Sequence, residues 1–308
     1  MAQSRQVYDR LIALYPGLAK TIVTVAIRTT GDSVLDRSLS EIGGKELFTR
    51  ELDDALLRGS IDLAVHSMKD VQPVLPRGLT LGAVLEREDP RDALVSLRAT
   101  DLAELPSGAV IGTSSLRRSV QVLMHRPDLK VMPLRGNVQT RLQKLTNRVV
   151  DALLLAIAGL RRLNLVNRFT TVLSPEIMLP AVAQGAIGIL CRQDDHCVYN
   201  LLQQLNHLPT ALCIQAERAF LATLNGNCRV PVAGLAELID TGTGLESNRA
   251  QVRFRCLAVN DDSVPVRLDC CDDAIRATDL AIESGTLLKR KSMLSEKGNE
   301  GRMVRETI

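Results

Sequence analysis

The sequence predicts an α/β protein with more than one domain. Short apolar segments alternate with amphipathic segments between residues 61 and 156, a pattern typical of strands followed by helices. Residues 149–156 are almost wholly apolar, as expected of a strand inside a parallel sheet. A chain of 308 residues is long for a single hydrophobic core, so we expect two or three domains.

Helix, strand, helix and strand are expected in that order before Asp70. Apolar spacing supports both helices, and β-branched side chains predict that the first strand is buried. Gly43 and Gly44 break the chain before the second helix, and Gly59 ends it. The four elements are predicted at residues 4–14, 21–27, 45–58 and 61–66.

Two strand-turn-helix units are expected next. After Pro231 the pattern changes to strand-like segments and one helix. The strands are expected at residues 109–112, 130–134 and 149–156, with helices at 116–125 and 140–145. A return strand begins at Gln184, and a helix spans residues 211–224. A separate small α/β domain follows, with strands at 251–259 and 264–268, a helix at 274–283, and a charged, frayed tail at 289–308.

Composition excludes several classes of protein. A net charge of +3, 2% aromatic residues and no Trp give no support to a nucleic-acid partner. Seven cysteines without CxxC or Cys/His metal spacing predict free thiols and no metal site. Without an apolar run of membrane-spanning length or a signal peptide, the expected location is the cytoplasm, with no membrane partner.

Arginines cluster at predicted strand-to-helix turns, where the ends of strands and the starts of helices form ligand sites in α/β sheets. Because guanidinium groups bind carboxylates and phosphates through paired donors, the cluster predicts a polyanionic ligand. The alternative is that surface helices carry arginines for solubility. The residues concerned are Arg117, Arg118, Arg135, Arg141 and Arg162.

Lys69 and Asp70 follow the apolar strand at 61–66. A carboxylate at the end of such a strand is suited to stabilising a cationic intermediate or moving a proton. A helix cap or a surface ion pair is the alternative role for Asp70. His66 lies next to this pair in sequence, and we expect it to be structural.

Cys228 lies in a turn-forming loop, Asn-Gly-Asn-Cys-Arg-Val-Pro, at residues 225–231. The neighbouring Arg229 favours the thiolate, so Cys228 is a candidate point of covalent attachment. An ordinary free cysteine is the alternative. The chain has no GxGxxG, GxxxxGK[ST] or HExxH motif, so dinucleotide, P-loop and zinc-protease classes lack support. A binding module for a polycarboxylate or a phosphate in a two-lobed cleft remains open, although it leaves the Cys228 loop unexplained.

Seven ordered motifs resemble those of the porphobilinogen deaminase (hydroxymethylbilane synthase) family. They are VHSMKDV at 65–71, REDPRDA at 87–93, GTSSLRR at 112–118, LRGNV at 134–138, LPAV at 179–182, QGA at 184–186 and the Cys228 loop. The similarity extends from near the start to about residue 240, and more weakly beyond. So many motifs in one order are highly specific.

The resemblance implies two doubly wound domains, similar to those of periplasmic binding proteins, and a small third domain. Domain 1 would comprise residues 1–85 with 186–204, domain 2 residues 90–182, and domain 3 residues 209–300 with the cofactor cysteine. It also implies a transferase that joins four porphobilinogens into hydroxymethylbilane and releases ammonia. A monomer acting on a small-molecule substrate is expected.

The resemblance also implies roles for individual residues. Asp70 would be the catalytic carboxylate, and Cys228 would hold a covalent dipyrromethane cofactor. Arg135, Arg141 and Arg162 would bind the substrate. The cofactor would also contact Lys69, Thr113, Ser114, Ser115, Arg117, Arg118 and Gln184.

The chain departs from the family pattern in two respects. It begins near the end of a motif, Thr-Arg-x-Ser-x-Leu-Ala, that follows the first strand of family members, so that strand and its Arg and Ser are expected to be missing. Four further positions differ from the family, namely Glu46, Gln72, Ala183 and Asn227. The alternative function is therefore a catalytically impaired relative that binds pyrrole carboxylates without turnover.

Overall fold

The computed structural model describes residues 2–33, 48–166, 169–224, 231–239, 250–259 and 264–294. The strands are β1 (Leu63–Ser67), β2 (Leu79–Val84), β3 (Asp92–Ser96), β4 (Val110–Gly112), β5 (Lys130–Met132), β6 (Ala152–Ala156), β7 (Thr170–Val172), β8 (Ile187–Arg192), β9 (Val232–Ile239), β10 (Gln251–Val259) and β11 (Pro265–Asp273). The helices are α1 (Ala2–Leu14), α2 (Thr30–Ser33), α3 (Arg50–Leu57), α4 (Leu116–His125), α5 (Val138–Thr146), α6 (Ile157–Arg162), α7 (His196–Gln203), α8 (Leu208–Thr223) and α9 (Ala277–Leu294). Short 3-10 turns occupy Pro16–Lys20, Met68–Asp70 and Ala274–Arg276.

The first sheet has the strand order β1-β8-β2, and both pairings are antiparallel. Successive residues of β8 point to opposite faces, as the alternation of a strand requires. Ile189 packs with Val7 and Leu11 of α1, whereas Leu190 packs with Leu56 of α3. Helices therefore cover both faces of this sheet.

The second sheet has five strands in the order β5-β4-β6-β3-β7. β4 is parallel to β5 and to β6, while β3 is antiparallel to β6 and to β7. The chain passes between the first two sheets twice, from β2 to β3 and from β7 to β8. These two crossings bring the ends of both sheets close to each other.

The third sheet has the antiparallel order β11-β10-β9. Phe220 of α8 packs edge-to-face on Phe254 of β10, with ring centroids 5.3 Å apart. The same apolar cluster includes Leu190 of the first sheet. Helix α8 thus joins the third sheet to the first.

The predicted α/β class with a small C-terminal α/β unit is confirmed, whereas the domain boundaries stay a prediction. The second sheet is mixed rather than wholly parallel. No helix in the described parts of the chain has the length and apolarity needed to cross a membrane.

The predicted buried strand at 21–27 is wrong. Residues 22–29 have no regular secondary structure, and Val23 is 80% exposed. β-branched residues favour an extended backbone, but a strand also needs a neighbour with which to exchange hydrogen bonds. No described strand pairs with this segment.

Several element boundaries also differ from those predicted. Of the helix expected at 45–58, residues 45–47 lie outside the described parts, Phe48 and Thr49 form a turn, and the helix is Arg50–Leu57. The tail expected from residue 289 is helical as far as Leu294, because α9 continues the helix predicted to end at 283. Strands β2, β3, β7 and β9 were not predicted.

Candidate functional site

Lys69 and Asp70 lie in a tight turn directly after β1. The turn is fixed by Met68, which is 1% exposed and whose backbone N–H donates to the Ala186 carbonyl at 3.0 Å. Gly188 makes room for it, since a β-carbon there would lie 2.0 Å from the Met68 sulfur. A buried anchor therefore holds Lys69 and Asp70 on the surface.

Asp92 forms a buried ion cluster with Arg117 and Arg118. One carboxylate oxygen accepts from Arg117 Nη1 at 2.6 Å, and the other accepts from Arg118 Nη2 at 2.6 Å and from Gln184 Nε2 at 2.9 Å. Burial opposes ionisation of Asp92, but the two guanidinium groups outweigh it and hold the pKa of Asp92 well below its usual range. One carboxylate thus aligns both arginines, and the cluster keeps a net positive charge.

The turn between β4 and α4 contains Thr113, Ser114 and Ser115. Thr113 is buried, and its hydroxyl oxygen accepts from the Ser115 N–H at 3.2 Å. Ser114 is exposed, and its hydroxyl donates to the Leu134 carbonyl at 3.0 Å. The turn is thereby held against the end of β5 and opens helix α4 beside Arg117 and Arg118.

Arg135 and Arg141 flank the start of α5. The Asn137 side chain accepts from the Thr140 N–H at 2.8 Å and caps the helix, and Arg141 Nε donates to the Gly136 carbonyl at 2.9 Å. Burial lowers the pKa of Arg141, and so do the charges of Arg118 and Arg135. Neither Arg135 nor Arg141 has a carboxylate partner among the described residues.

Arg162 lies at the end of α6, beside the crossing between the first two sheets. Its Nη2 donates to the Gly185 carbonyl at 2.9 Å. Burial lowers the pKa of Arg162, and the nearby Glu88 opposes that shift. Gly185 has a φ of +91°, and a β-carbon there would lie 2.3 Å from the Glu88 carbonyl oxygen, so glycine is required for this close crossing.

The charges around Lys69 show which of these residues come together. The surrounding protein lowers the pKa of the Lys69 amine, and the negative charge of Asp70 raises it. The charge of Asp92 also raises this pKa, whereas the charges of Arg118 and Arg117 lower it. Solvent reaches Lys69 and screens these interactions, yet they connect the end of β1 with the second sheet. The charges around Arg141 add Arg135 and Arg141 to this group through Arg118. We call the group the cationic site, and its members are Lys69, Asp70, Arg117, Arg118, Arg135 and Arg141. Arg162 lies instead beside Gly185 and Glu88.

Other residues singled out in the sequence either lie outside the described parts of the chain or are buried. Cys228 lies outside the described residues, as do Glu46 and Asn227. Gln184 is 1% exposed, and its amide donates to Asp92 and to the Pro90 carbonyl. It therefore helps to hold the Asp92 carboxylate in place. His66 is buried, and its Nε2 has no partner among the described residues.

Sequence reasoning missed Asp92 and Glu217. Asp92 opens an apolar strand, a place where a charge is uncommon, and that could have marked it. Glu217 is fully buried on α8 and accepts from Arg87 Nη1 at 2.6 Å, from the Ala183 N–H at 2.6 Å and from the Ala236 N–H at 2.9 Å. Nothing in the local sequence distinguishes it from a surface glutamate.

Ala183 stands where the family has glycine, and its φ is +60°. A left-handed backbone costs an L-residue about 1–2 kcal/mol. At Ala183 this conformation is maintained by burial and by the hydrogen bond from the Ala183 N–H to the Glu217 carboxylate.

Fold and site together define an α/β protein that presents arginines and a lysine around Asp70 and Asp92, an arrangement suited to a polyanionic ligand. Residues 1–200 match the family model "Porphobilinogen deaminase, dipyromethane cofactor binding domain", and residues 211–287 match "Porphobilinogen deaminase, C-terminal domain". The chain belongs to the porphobilinogen deaminase family. Members of this family are transferases of tetrapyrrole biosynthesis.

Curated relatives agree along most of the chain. A Paracoccus denitrificans porphobilinogen deaminase is 48% identical over 92% of this chain and 89% of its own length. A Desulforudis audaxviator porphobilinogen deaminase is 47% identical over 94% of this chain and 94% of its own length. A chloroplastic porphobilinogen deaminase of Oryza sativa is 55% identical over 77% of this chain, which spans 66% of that relative's length.

Solved structures of lower similarity include an ancestral cationic amino acid solute binding protein, 13% identical, with a TM-score of 0.38 over 63% of this chain and 76% of that one. A putative methionine-binding lipoprotein of Bacillus subtilis is 14% identical, with a TM-score of 0.36 over 51% of this chain and 75% of that one. None of the comparisons favours the catalytically impaired alternative.

Proposed function

We propose that this protein joins four porphobilinogen molecules head-to-tail into hydroxymethylbilane and releases one ammonia from each. The observation that supports this most is the cationic site itself. Arg118 and Arg135 both repel Arg141, and no described carboxylate neutralises Arg135 or Arg141. A site that keeps such charges together is stabilised by a ligand with several anionic groups, and each added pyrrole brings two carboxylates.

The residues of the cationic site suit a dipyrromethane cofactor. Lys69, Arg117 and Arg118 would hold its carboxylates, with Thr113, Ser114 and Ser115 as hydroxyl and N–H donors and Gln184 as a support for the arginines. Cys228 would be the covalent attachment point. When bound, the cofactor supplies the pyrrole to which the first substrate is joined.

Arg135, Arg141 and Arg162 would bind the acetate and propionate groups of the incoming substrate. Contacts to the Gly136 and Gly185 carbonyls fix the guanidinium groups of Arg141 and Arg162 before a ligand arrives. Donors positioned in advance lose less entropy on binding than mobile ones. Arginine also stays charged across the working pH range, which a lysine with a lowered pKa does not guarantee.

Asp70 would act on the reacting centre. When the C–N bond of the protonated aminomethyl group of porphobilinogen breaks, neutral ammonia leaves with the electron pair, and the positive charge passes from the nitrogen to the pyrrole. A carboxylate held at a fixed turn stabilises that charge as it forms. The methylene carbon then bonds to the free α-carbon of the growing chain, and that carbon loses its proton.

The test is substrate turnover by the wild type and by Asp70→Asn. Removing the charge should lower kcat by about 100-fold or more, because the transition state loses its counter-ion, while KM changes little. Asp70→Glu should retain partial activity, and Asp54→Asn, at an exposed position on α3, serves as the matched control. An Asp70→Asn protein with wild-type kcat would overturn the role of this carboxylate.

We further propose that the enzyme works in the cytoplasm as a monomer on a small-molecule substrate, without a nucleic-acid or membrane partner. The small net charge of +3 and the absence of Trp support the expected lack of a nucleic-acid partner. Sedimentation of the purified protein with and without porphobilinogen would test the oligomeric state, and a dimer would contradict it.

A further inference from the structure

A cavity lies between the first sheet and the helices that cover the third, next to the segment that follows Asp70. Its volume is about 440 Å³, within the range of about 300–1,000 Å³ typical of small-molecule sites. Its walls come from the edge strand β2, from α7, from α8 and from Thr278 of α9. None of the residues assigned above to cofactor, substrate or catalysis lines it.

Among the described residues that line this cavity, Arg218 of α8 is the only charged one. Its Nη2 donates to the Gln72 carbonyl at 2.6 Å and to the Pro73 carbonyl at 3.0 Å, and its Nη1 to the Val71 carbonyl at 3.4 Å. These three carbonyls satisfy three of the five guanidinium N–H groups. No carboxylate pairs with Arg218 in the described parts of the chain.

The environment of Arg218 leaves its charge uncompensated. Burial lowers the pKa of Arg218 to about 10, so the guanidinium is still protonated at neutral pH. A half-buried cation held only by neutral carbonyls gains from an anion at short range, since solvent screens the interaction less than at the surface. The Nε–H and one N–H on Nη1 have no acceptor among the described residues, so donors remain for a ligand.

The rest of the wall indicates the kind of anion. Leu81, Val84, Ala219 and Ala222 present apolar surface, and the uncharged polar side chains on the wall are Tyr199, Gln203, Asn206, Gln215 and Thr278. A fully hydrated ion such as phosphate would leave this apolar surface uncovered. An anion with one carboxylate and a flat or compact apolar body would cover it and place its charge on Arg218.

We propose that this cavity is a binding site for a small carboxylate with an apolar body, held by Arg218. The site is separate from the substrate site, but Arg218 binds the backbone one to three residues after Asp70. An occupant would therefore lie beside the turn that holds Lys69 and Asp70.

Isothermal titration calorimetry on the full chain tests this with benzoate as the probe and benzamide, its neutral isostere, as the control. Benzoate should bind at one site at least 10-fold more tightly than benzamide. Arg218→Gln should abolish that site, and Arg77→Gln, at an exposed arginine outside the cavity wall, should leave it unchanged.

Two further variants keep the test decisive. Ala222→Leu fills the cavity while leaving the guanidinium in place, so it should also abolish benzoate binding, even if Arg218→Gln fails to fold. Arg135→Gln removes a charge of the cationic site and should leave the Arg218-dependent heat intact. Benzoate binding that survives Arg218→Gln and Ala222→Leu but disappears in Arg135→Gln would place the anion at the cationic site and overturn the proposal. Equal affinities for benzoate and benzamide would overturn it as well.

Discussion

His66 illustrates how one buried group makes stability depend on pH. His66 is 5% exposed and lies on β1, three residues before Lys69 of the proposed catalytic pair. Burial lowers the pKa of His66 to about 4, from a usual value near 6.5. The folded chain therefore keeps a neutral ring, whereas the unfolded chain takes up a proton as soon as the pH falls below about 6.5.

We expect the free energy of unfolding to fall as the pH is lowered from about 6.5 to about 4, by up to about 3 kcal/mol from His66. A His66→Leu variant should lose this part of the pH dependence and keep the steeper loss from carboxylates at lower pH. Urea titrations of both proteins at several pH values measure it. Parallel curves for the two proteins between pH 6.5 and 4 would show that His66 does not titrate in this way.

At the scale of single elements, one helix was predicted with its observed bounds, whereas several strands were missed. Helix α4 was predicted with the observed bounds because its apolar spacing and the preceding Thr-Ser-Ser turn agree. Strands β2 and β3 were missed because nearby prolines suggested loops, and their pairing with β8 and β6 depends on segments about 60 to 110 residues away. The local residue pattern indicates whether a segment favours an extended backbone. Whether that segment joins a sheet depends on its partner strand.

Helix α5 is the element whose start most directly serves the proposed site. The Asn137 side chain accepts from both the N–H and the hydroxyl of Thr140, and Arg141 follows in the first turn. Asn137→Ala should lower the free energy of unfolding by about 1 kcal/mol and raise KM, because Arg141 loses its fixed position. Asn137→Asp retains an acceptor and should restore stability.

Chemical denaturation and steady-state kinetics measure both effects. Asn147→Ala, at the other end of α5, is the control and should change KM little. An Asn137→Ala protein that loses stability without any change in KM would separate the helix cap from substrate binding.

Across the whole molecule, the parts of the cationic site were predictable but their support was not. The arginines and Asp70 were found because they follow strands, and such positions meet at one edge in α/β folds. Glu217 was missed because its buried position is recognisable only once its partners from distant segments are known, whereas the charge of Asp92 at the start of an apolar strand was a signal that was overlooked. Arg87 and Glu217 are 130 residues apart, and they connect the crossing between sheets with α8.

Removing the charge of Glu217 should therefore destabilise the whole chain. Its side chain is fully buried and that of Arg87 is 11% exposed, so Glu217→Gln leaves an uncompensated buried cation and should cost about 3–5 kcal/mol. The exposed pair of Glu283 with Arg276 provides the control, since Glu283→Gln should cost less than about 1 kcal/mol. Equal losses for the two variants, measured by urea unfolding, would contradict a special role for the buried pair.

The account as a whole depends on this chain assembling pyrroles on a cofactor at Cys228, and intact mass spectrometry tests that most directly. The purified wild type should show a mass excess matching one dipyrromethane, and mixing with porphobilinogen should add a ladder of single pyrrole increments. The Cys228→Ser protein should show neither. A wild type without any mass excess before or after substrate is added, or a Cys228→Ser protein with the same ladder, would contradict the account.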